Sequence, residues 1–244
     1  VQLLGNEREI VVSFDNEYRS HGAEKVEIVA AAAGNYRLIV RASSKSAPAG
    51  LYEIRVTEIR AATRNDRLLG EARRFEEDSK RALTAGKYED AHLFAERALA
   101  ISESVLGMEH PFTARAMLQL AYYHFYKLEF GKAESLFERA LAISQKSLGP
   151  EHPQAIDIAR AQGILYYWTN ERTKAEKLLQ PAADFSQKTL GSEHYLVAKC
   201  LNDFSKITKD PKRKEEILKR ALEIAEKTVG PDHELVGDVL SEFG

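Results

Sequence analysis

The stretch Pro111–Gly149, PFTARAMLQLAYYHFYKLEFGKAESLFERALAISQKSLG, decides the fold of this chain. At helical spacing it resolves into two amphipathic helices with a turn near Glu129-Phe130-Gly131. The first carries Met117, Leu120, Ala121 and His124 on one side. The second carries Ala133, Leu136, Phe137, Ala140, Leu141 and Ile143. Steps of three and four residues place each set on a single face. Neither helix can bury such a face alone, so the two pair, and the pair needs a further surface to stack on.

That surface is another copy of the same unit. LGMEHP begins at Leu106, LGPEHP at Leu148, LGSEHY at Leu190 and VGPDHE at Val229. Gly107, Gly149 and Gly191 are 42 residues apart, and Gly230 follows after 39. A similar helix ending precedes each: ERALAISESVLG, ERALAISQKSLG, QPAADFSQKTLG and KRALEIAEKTVG. A fixed period of this length with helix–turn–helix content predicts a helical solenoid. The expected pairs are 67–85 with 88–105, 111–127 with 131–147, 153–169 with 172–189, and 194–208 with 211–228. A last partial helix is expected from near His233. Asn65 or Asp66 is the expected cap of the first helix, with Gly86 as its stop.

Small residues recur where the paired helices must cross. Ser79, Ala121 and Gly163 hold the first helices, Ala91, Ala133 and Ala175 the second, and Ala98, Ala140 and Ala182 come late in the second. An aromatic, Tyr88 or Phe130, follows the turn. Over residues 65–244 this resembles the tetratricopeptide repeat, in the 42-residue version of kinesin light chains and many bacterial proteins. The third turn departs from the pattern with Arg172 in place of the aromatic. The fourth copy is three residues short and has Lys214 at the second-helix alanine position.

Residues 1–60 have a different period. EIVVSF (Glu9–Phe14), KVEIVA (Lys25–Ala30), NYRLIVRA (Asn35–Ala42) and LYEIRVTEI (Leu51–Ile59) alternate apolar and polar residues, with turn residues between them. The pair Gly34-Asn35-Tyr36 and Gly50-Leu51-Tyr52 resembles the carbohydrate-binding-like or pre-peptidase-like β-sandwich that precedes tetratricopeptide arrays in bacterial proteins, often with a caspase-like CHAT peptidase further on. The expected class is therefore α + β in two domains. A small antiparallel β-sheet, a partial β-sandwich over 1–60, precedes an all-α helix-turn-helix solenoid over 61–244 with about four helix pairs and a partial helix.

Composition narrows the function. The 244 residues are 44% hydrophobic and 30% charged, with net charge −2. These values fit a folded chain and give no bulk electrostatic case for nucleic acid or an anionic membrane. No apolar run approaches the roughly 20 residues of a membrane span. The start at Val1 and the partial last helix suggest a fragment whose cut ends could support a homo-oligomer. The single Cys200 excludes an internal disulfide framework.

No nucleophile–base pair or phosphate-binding glycine loop stands out, so the chain reads as non-enzymatic and free of cofactors. Cys200 falls at a core position of its helix. The EARRFEEDSK run (Glu71–Lys80) reads as a solvated helix face, and KDPKRK (Lys209–Lys214) as a solvent-facing turn. His110, His152, His194 and His233 recur once per copy. Adjacent helices lie about 8–10 Å apart, too far for four imidazoles to share an ion bound at about 2 Å. The histidines therefore read as capping or loop-packing residues rather than metal ligands.

The resemblance implies a concave groove lined by the first helix of each pair. It assigns to that groove Arg115, Leu118, Gln119, Tyr122, Phe125 and Tyr126; then Asp157, Arg160, Ile164, Tyr167 and Trp168; and then Leu201, Asn202 and Ser205. Arg73, Glu76, Lys80 and Leu83 flank it. Gln119 and Asn202 are placed where such repeats carry an Asn that bonds a bound peptide backbone. Aromatics with Arg are the residue types of binding hot spots. The leading expectation is a scaffold holding a protein or peptide in the groove. Two alternatives stand beside it. One is the regulatory arm of a larger bacterial peptidase. The other is a glycan-binding β-domain, resting on Tyr18, Tyr36 and Tyr52, with the repeats as spacer. An extracytoplasmic setting would go with the β-domain resemblance, and a cytoplasmic one with its failure.

Overall fold

The computed structural model describes residues 60–191 and 193–243 in full, and the backbone alone of Gln2–Leu4, Ile10–Ser13 and Arg37–Ile39. The helices run α1 Arg64–Thr84, α2 Tyr88–Leu106, α3 Pro111–Tyr126, α4 Phe130–Leu148, α5 Pro153–Trp168, α6 Arg172–Leu190, α7 Tyr195–Ser205, α8 Pro211–Val229 and α9 Glu234–Ser241. Of the fully described residues 81% are helical and none is in a strand. The expected two-domain α + β class is thereby corrected: among the fully described residues the architecture is an all-α solenoid without a β-sheet domain. The three backbone segments pair antiparallel with Gln2–Leu4 in the middle. The readings at Lys25–Ala30 and Leu51–Ile59, and the three tyrosines, lie outside the described residues. Period-two alternation reports only which faces are apolar. It does not supply the partner strands that would make a sheet.

Each helix packs on the next in sequence. The buried small residues sit at the crossings: Ser79, Ala91, Ala98, Ala121, Ala133, Ala140, Ala175 and Ala182 are all 0–2% exposed. A larger side chain at those points would hold the helix axes apart. A continuous core then runs from α3 through α9, with Phe137, Met117, Ile158, Leu179 and Leu218 among its largest buried members. Cys200 belongs to it, and burial pushes its thiol up to about 12. No helix among the described residues is long and apolar enough to cross a membrane.

The links between pairs are built alike. Gly107, Gly149, Gly191 and Gly230 each end a helix at φ between +79° and +91°, where a Cβ would be strained. Three residues later a histidine caps the next helix. The Nδ1 atoms of His110, His152, His194 and His233 accept from the backbone N–H of Phe112, Gln154, Leu196 and Leu235, all at 3.1 Å. A lysine in the last turn of α4, α6 and α8 reaches back to the acid of the loop before the pair: Lys146 to Glu109, Lys188 to Glu151 and Lys227 to Glu193. The first helix is capped differently from the expectation. Thr63 is its N-cap, and Asp66 closes a capping box three residues on.

The three missing residues of the fourth copy come out of its first helix. Measured from the capping histidine, α7 stops at Ser205, the equivalent of Gly163, whereas α5 continues to Trp168. Asp210 caps α8 by accepting from the Lys212 N–H, with Pro211 in the first turn. Lys214 takes the alanine place half-exposed and pairs with Glu242 at 3.7 Å, while Leu218 and Ala221 behind it stay buried.

Candidate binding groove

The solenoid bends because its two helix layers are not equally crowded. Among the described residues the backbones of α1, α3, α5, α7 and α9 each come close to the next of the same set, whereas α2, α4, α6 and α8 stand further apart and meet through long side chains, as Lys174 of α6 does with Glu134 of α4 at 3.5 Å. The first layer is therefore the inner wall. Its curvature brings distant helices into electrostatic reach: Tyr126 on α3 feels the Glu234 and Asp238 carboxylates of α9, and Asp157 on α5 feels Lys80 of α1.

The floor of this wall is a closed polar network. Arg160 Nε and Nη2 donate to Asp157 Oδ1 at 3.0 and 2.8 Å. Its Nη1 donates to Asp203 Oδ2 at 2.6 Å and its Nη2 to the Tyr122 hydroxyl at 2.9 Å, so one guanidinium ties α3, α5 and α7 together. Burial alone would push the Asp157 carboxyl up, but the Arg160 charge outweighs it and holds the group below the usual carboxylate range. Burial raises the Tyr122 phenol. One repeat earlier, Arg115 Nε and Nη2 donate to Glu76 Oε2 at 3.0 and 2.6 Å. Glu76 is 2% exposed, which corrects the reading of Glu71–Lys80 as uniformly solvated.

The groove candidates thus divide. Leu118, Gln119, Asp157, Arg160, Leu201, Asn202 and Ser205 are buried, and Arg115, Tyr122, Phe125, Ile164 and Tyr167 are half-buried. Tyr126 and Trp168 stand open at 50% and 64%. They belong to a line of rings along the ends of the inner helices: Tyr88 stacks on Tyr126 at 5.9 Å, and Phe125 meets Tyr126, Phe130 and Trp168 at 5.7, 6.0 and 6.5 Å. Gln119 and Asn202 do not hold equivalent places. Asn202 lies eight residues past its capping histidine, as do Leu118 and Arg160, and Gln119 lies nine past its own. The residues missed from sequence are Asp203, Lys199 and Asp238. Counting five past each capping histidine would have found two of them, because Arg115, Asp157, Lys199 and Asp238 form that row.

Tetratricopeptide repeat profiles match residues 82–143, 112–180 and 197–234, together more than half of the chain. No curated protein matches it. Among solved structures, a Podosopora anserina putative kinesin light chain with nearly identical TPR-like repeats is similar at TM-score 0.56 and 23% identity, over 71% of this chain and 84% of that one. A point variant of the same protein aligns equally. BtubC (BKLC) from P. vanneervenii is similar at TM-score 0.56 and 18% identity, over 75% of this chain and 82% of that one. At those identities the structures speak for the fold, and the profile matches speak for the repeats. The helical array of this chain belongs to the tetratricopeptide repeat family.

Proposed function

We propose that this chain is a non-catalytic scaffold that lays a peptide segment of a protein partner along its inner wall, seated first on the ring line at Tyr126 and Trp168. Tetratricopeptide repeats point to protein–protein interaction. The observation that carries the finer reading is the exposure of Trp168 at 64% and Tyr126 at 50% beside groove candidates that are buried or half-buried. An exposed Trp and Tyr are rigid and amphipathic, and they bury large area at small entropic cost. Arg160 is fully engaged in the floor and Arg115 is held by Glu76, so in this reading both shape the groove rather than anchor a guest.

The test is selection from a displayed random dodecapeptide library on the immobilised protein, in parallel with a Tyr126→Ala/Trp168→Ala double variant. Peptides enriched on the native protein should bind the variant at least tenfold more weakly, about 1.4 kcal/mol. Trp168 is the sole tryptophan, so its fluorescence reports occupancy directly. Peptides that bind both proteins equally, without changing that fluorescence, would place the binding surface elsewhere.

A further inference from the structure

Lys199 on α7 is a lysine without a carboxylate of its own. Among the described residues every other lysine is either ion-paired or exposed. Lys199 is half-buried in the inner wall and has no hydrogen-bond or ion-pair partner. Its surroundings explain why. Asp203, one turn further along α7, would be its natural partner, but that carboxylate accepts from Arg160 Nη1 at 2.6 Å. Asp157 of α5 is taken by Nε and Nη2 of the same guanidinium. Asp238 of α9 feels the Lys199 charge without pairing with it. Lys199 Nζ lies instead over the Tyr195 ring, 5.8 Å from its centroid. The amine is nevertheless open to solvent. The buried side-chain N and O atoms that lack a partner among the described residues are Glu76 Oε1 and Asn202 Oδ1, and Lys199 Nζ is not one of them.

The Arg160 charge first, and burial second, push the Lys199 ammonium down, against the opposing pull of Asp157, Asp203 and Cys200. A lysine partly desolvated beside another cation gives up its proton more readily, and the free amine is a nucleophile. We propose that Lys199 is an acylation site, whose neutral amine takes a small acyl group from an acyl thioester. The nitrogen lone pair attacks the thioester carbonyl carbon, an N–C bond forms and the C–S bond breaks. The sulfur leaves with the bonding pair and picks up the proton that the nitrogen sheds, so an amide and a thiol result. The half-buried position admits a short acyl group more readily than a bulky one. Before reaction two cations, Arg160 and Lys199, offset two carboxylates, Asp157 and Asp203. Afterwards one cation remains, and this part of the inner wall gains a net negative charge. The chemistry needs no bound peptide and stands apart from the groove reading above.

The experiment is competitive labelling of the native protein with limiting S-acetyl-N-acetylcysteamine at about pH 7, read residue by residue by peptide mass spectrometry. Lys199 should be acetylated about tenfold faster than Lys87, Lys177, Lys209 and Lys212, which are exposed and not ion-paired among the described residues. As pH is raised, its rate should level off before theirs do. Acetyl phosphate in place of the thioester should give the same order. Acetylation of Lys199 no faster than of the four exposed lysines, or a rate climbing in step with theirs up to the ordinary lysine pKa of about 10.4, would overturn the proposal. A preference seen with acetyl phosphate alone would also overturn it, because it would report attraction of an anion rather than a free amine.

Discussion

At the scale of the residue, the inner wall rests on how Arg160 is balanced. Its two aspartates come from different helices, and its third partner, the Tyr122 hydroxyl, from another. Removing one member of a buried pair leaves an uncompensated charge, at a cost of about 3–5 kcal/mol. Arg160→Leu should therefore destabilise by that order in urea titrations at neutral pH. The variant should also reverse the response to acid. In the native protein the folded Asp157 holds its proton less tightly than the unfolded chain does. Its contribution is thus complete above the ordinary carboxylate pKa of about 3.9 and is lost as pH falls through the lower folded value. Without Arg160, burial, the largest influence on the group, is opposed only by the Lys199 and Lys80 charges, so that value should rise and the variant should gain stability as pH drops from 7 toward 4. A variant that loses stability over that range would show that the aspartates do not depend on Arg160. Gly163 shows the same tightness in apolar form. A Cβ there would stand 2.7 Å from the Leu179 side chain, which is itself fully buried.

At the scale of the element, the turns inside each pair repeat as faithfully as the links between pairs. Gly86, Leu128 and Asn170 are 42 residues apart and all adopt positive φ, at +69°, +60° and +62°. Glycine and asparagine tolerate that conformation, but leucine does not, and Leu128 is also 69% exposed, so packing returns nothing for the strain. Leu128→Gly should raise stability in urea by up to about 1 kcal/mol, the relief of roughly 1–2 kcal/mol being partly offset by the freer unfolded chain. Leu128→Val should lower it. Equal stability of all three proteins would mean that the turn relaxes to another conformation. The second helices α4 and α6 start without a side-chain cap, and their turns depend on these left-handed residues to reverse the chain.

At the scale of the molecule, a solenoid is held by neighbours, so protection should follow position in the stack. The interior pairs α3–α4 and α5–α6 are covered on both sides by described helices, and α5 buries twelve of its sixteen residues. By contrast α1 buries four of twenty-one, two of them polar, and α9 three of eight. Native-state hydrogen exchange should therefore be slowest in α5 and its contacts in α4 and α7, and faster by orders of magnitude in α1 and α9. Uniform protection from α1 to α9 would indicate a single cooperative unit rather than nearest-neighbour coupling.

Much of this was legible in the chain. The recurring Leu-Gly and Glu-His signals place the links, and the three- and four-residue apolar spacing places the helices to within a few residues. Both are local properties: a glycine at positive φ, a capping side chain and an apolar stripe act within one or two turns. The period-two stretches at the start misled as to class, because alternation marks a face and cannot supply the strands to cover it. Which inner-wall residues are open, and which are spent on one another, was decided only in three dimensions. Arg160 meets Tyr122 and Asp203 across 38 and 43 residues, and Tyr126 comes within electrostatic reach of α9 because one helix layer is more crowded than the other. Charge neutralisation and curvature are sums over helices distant in sequence, so neither can be read from the spacing within any single repeat.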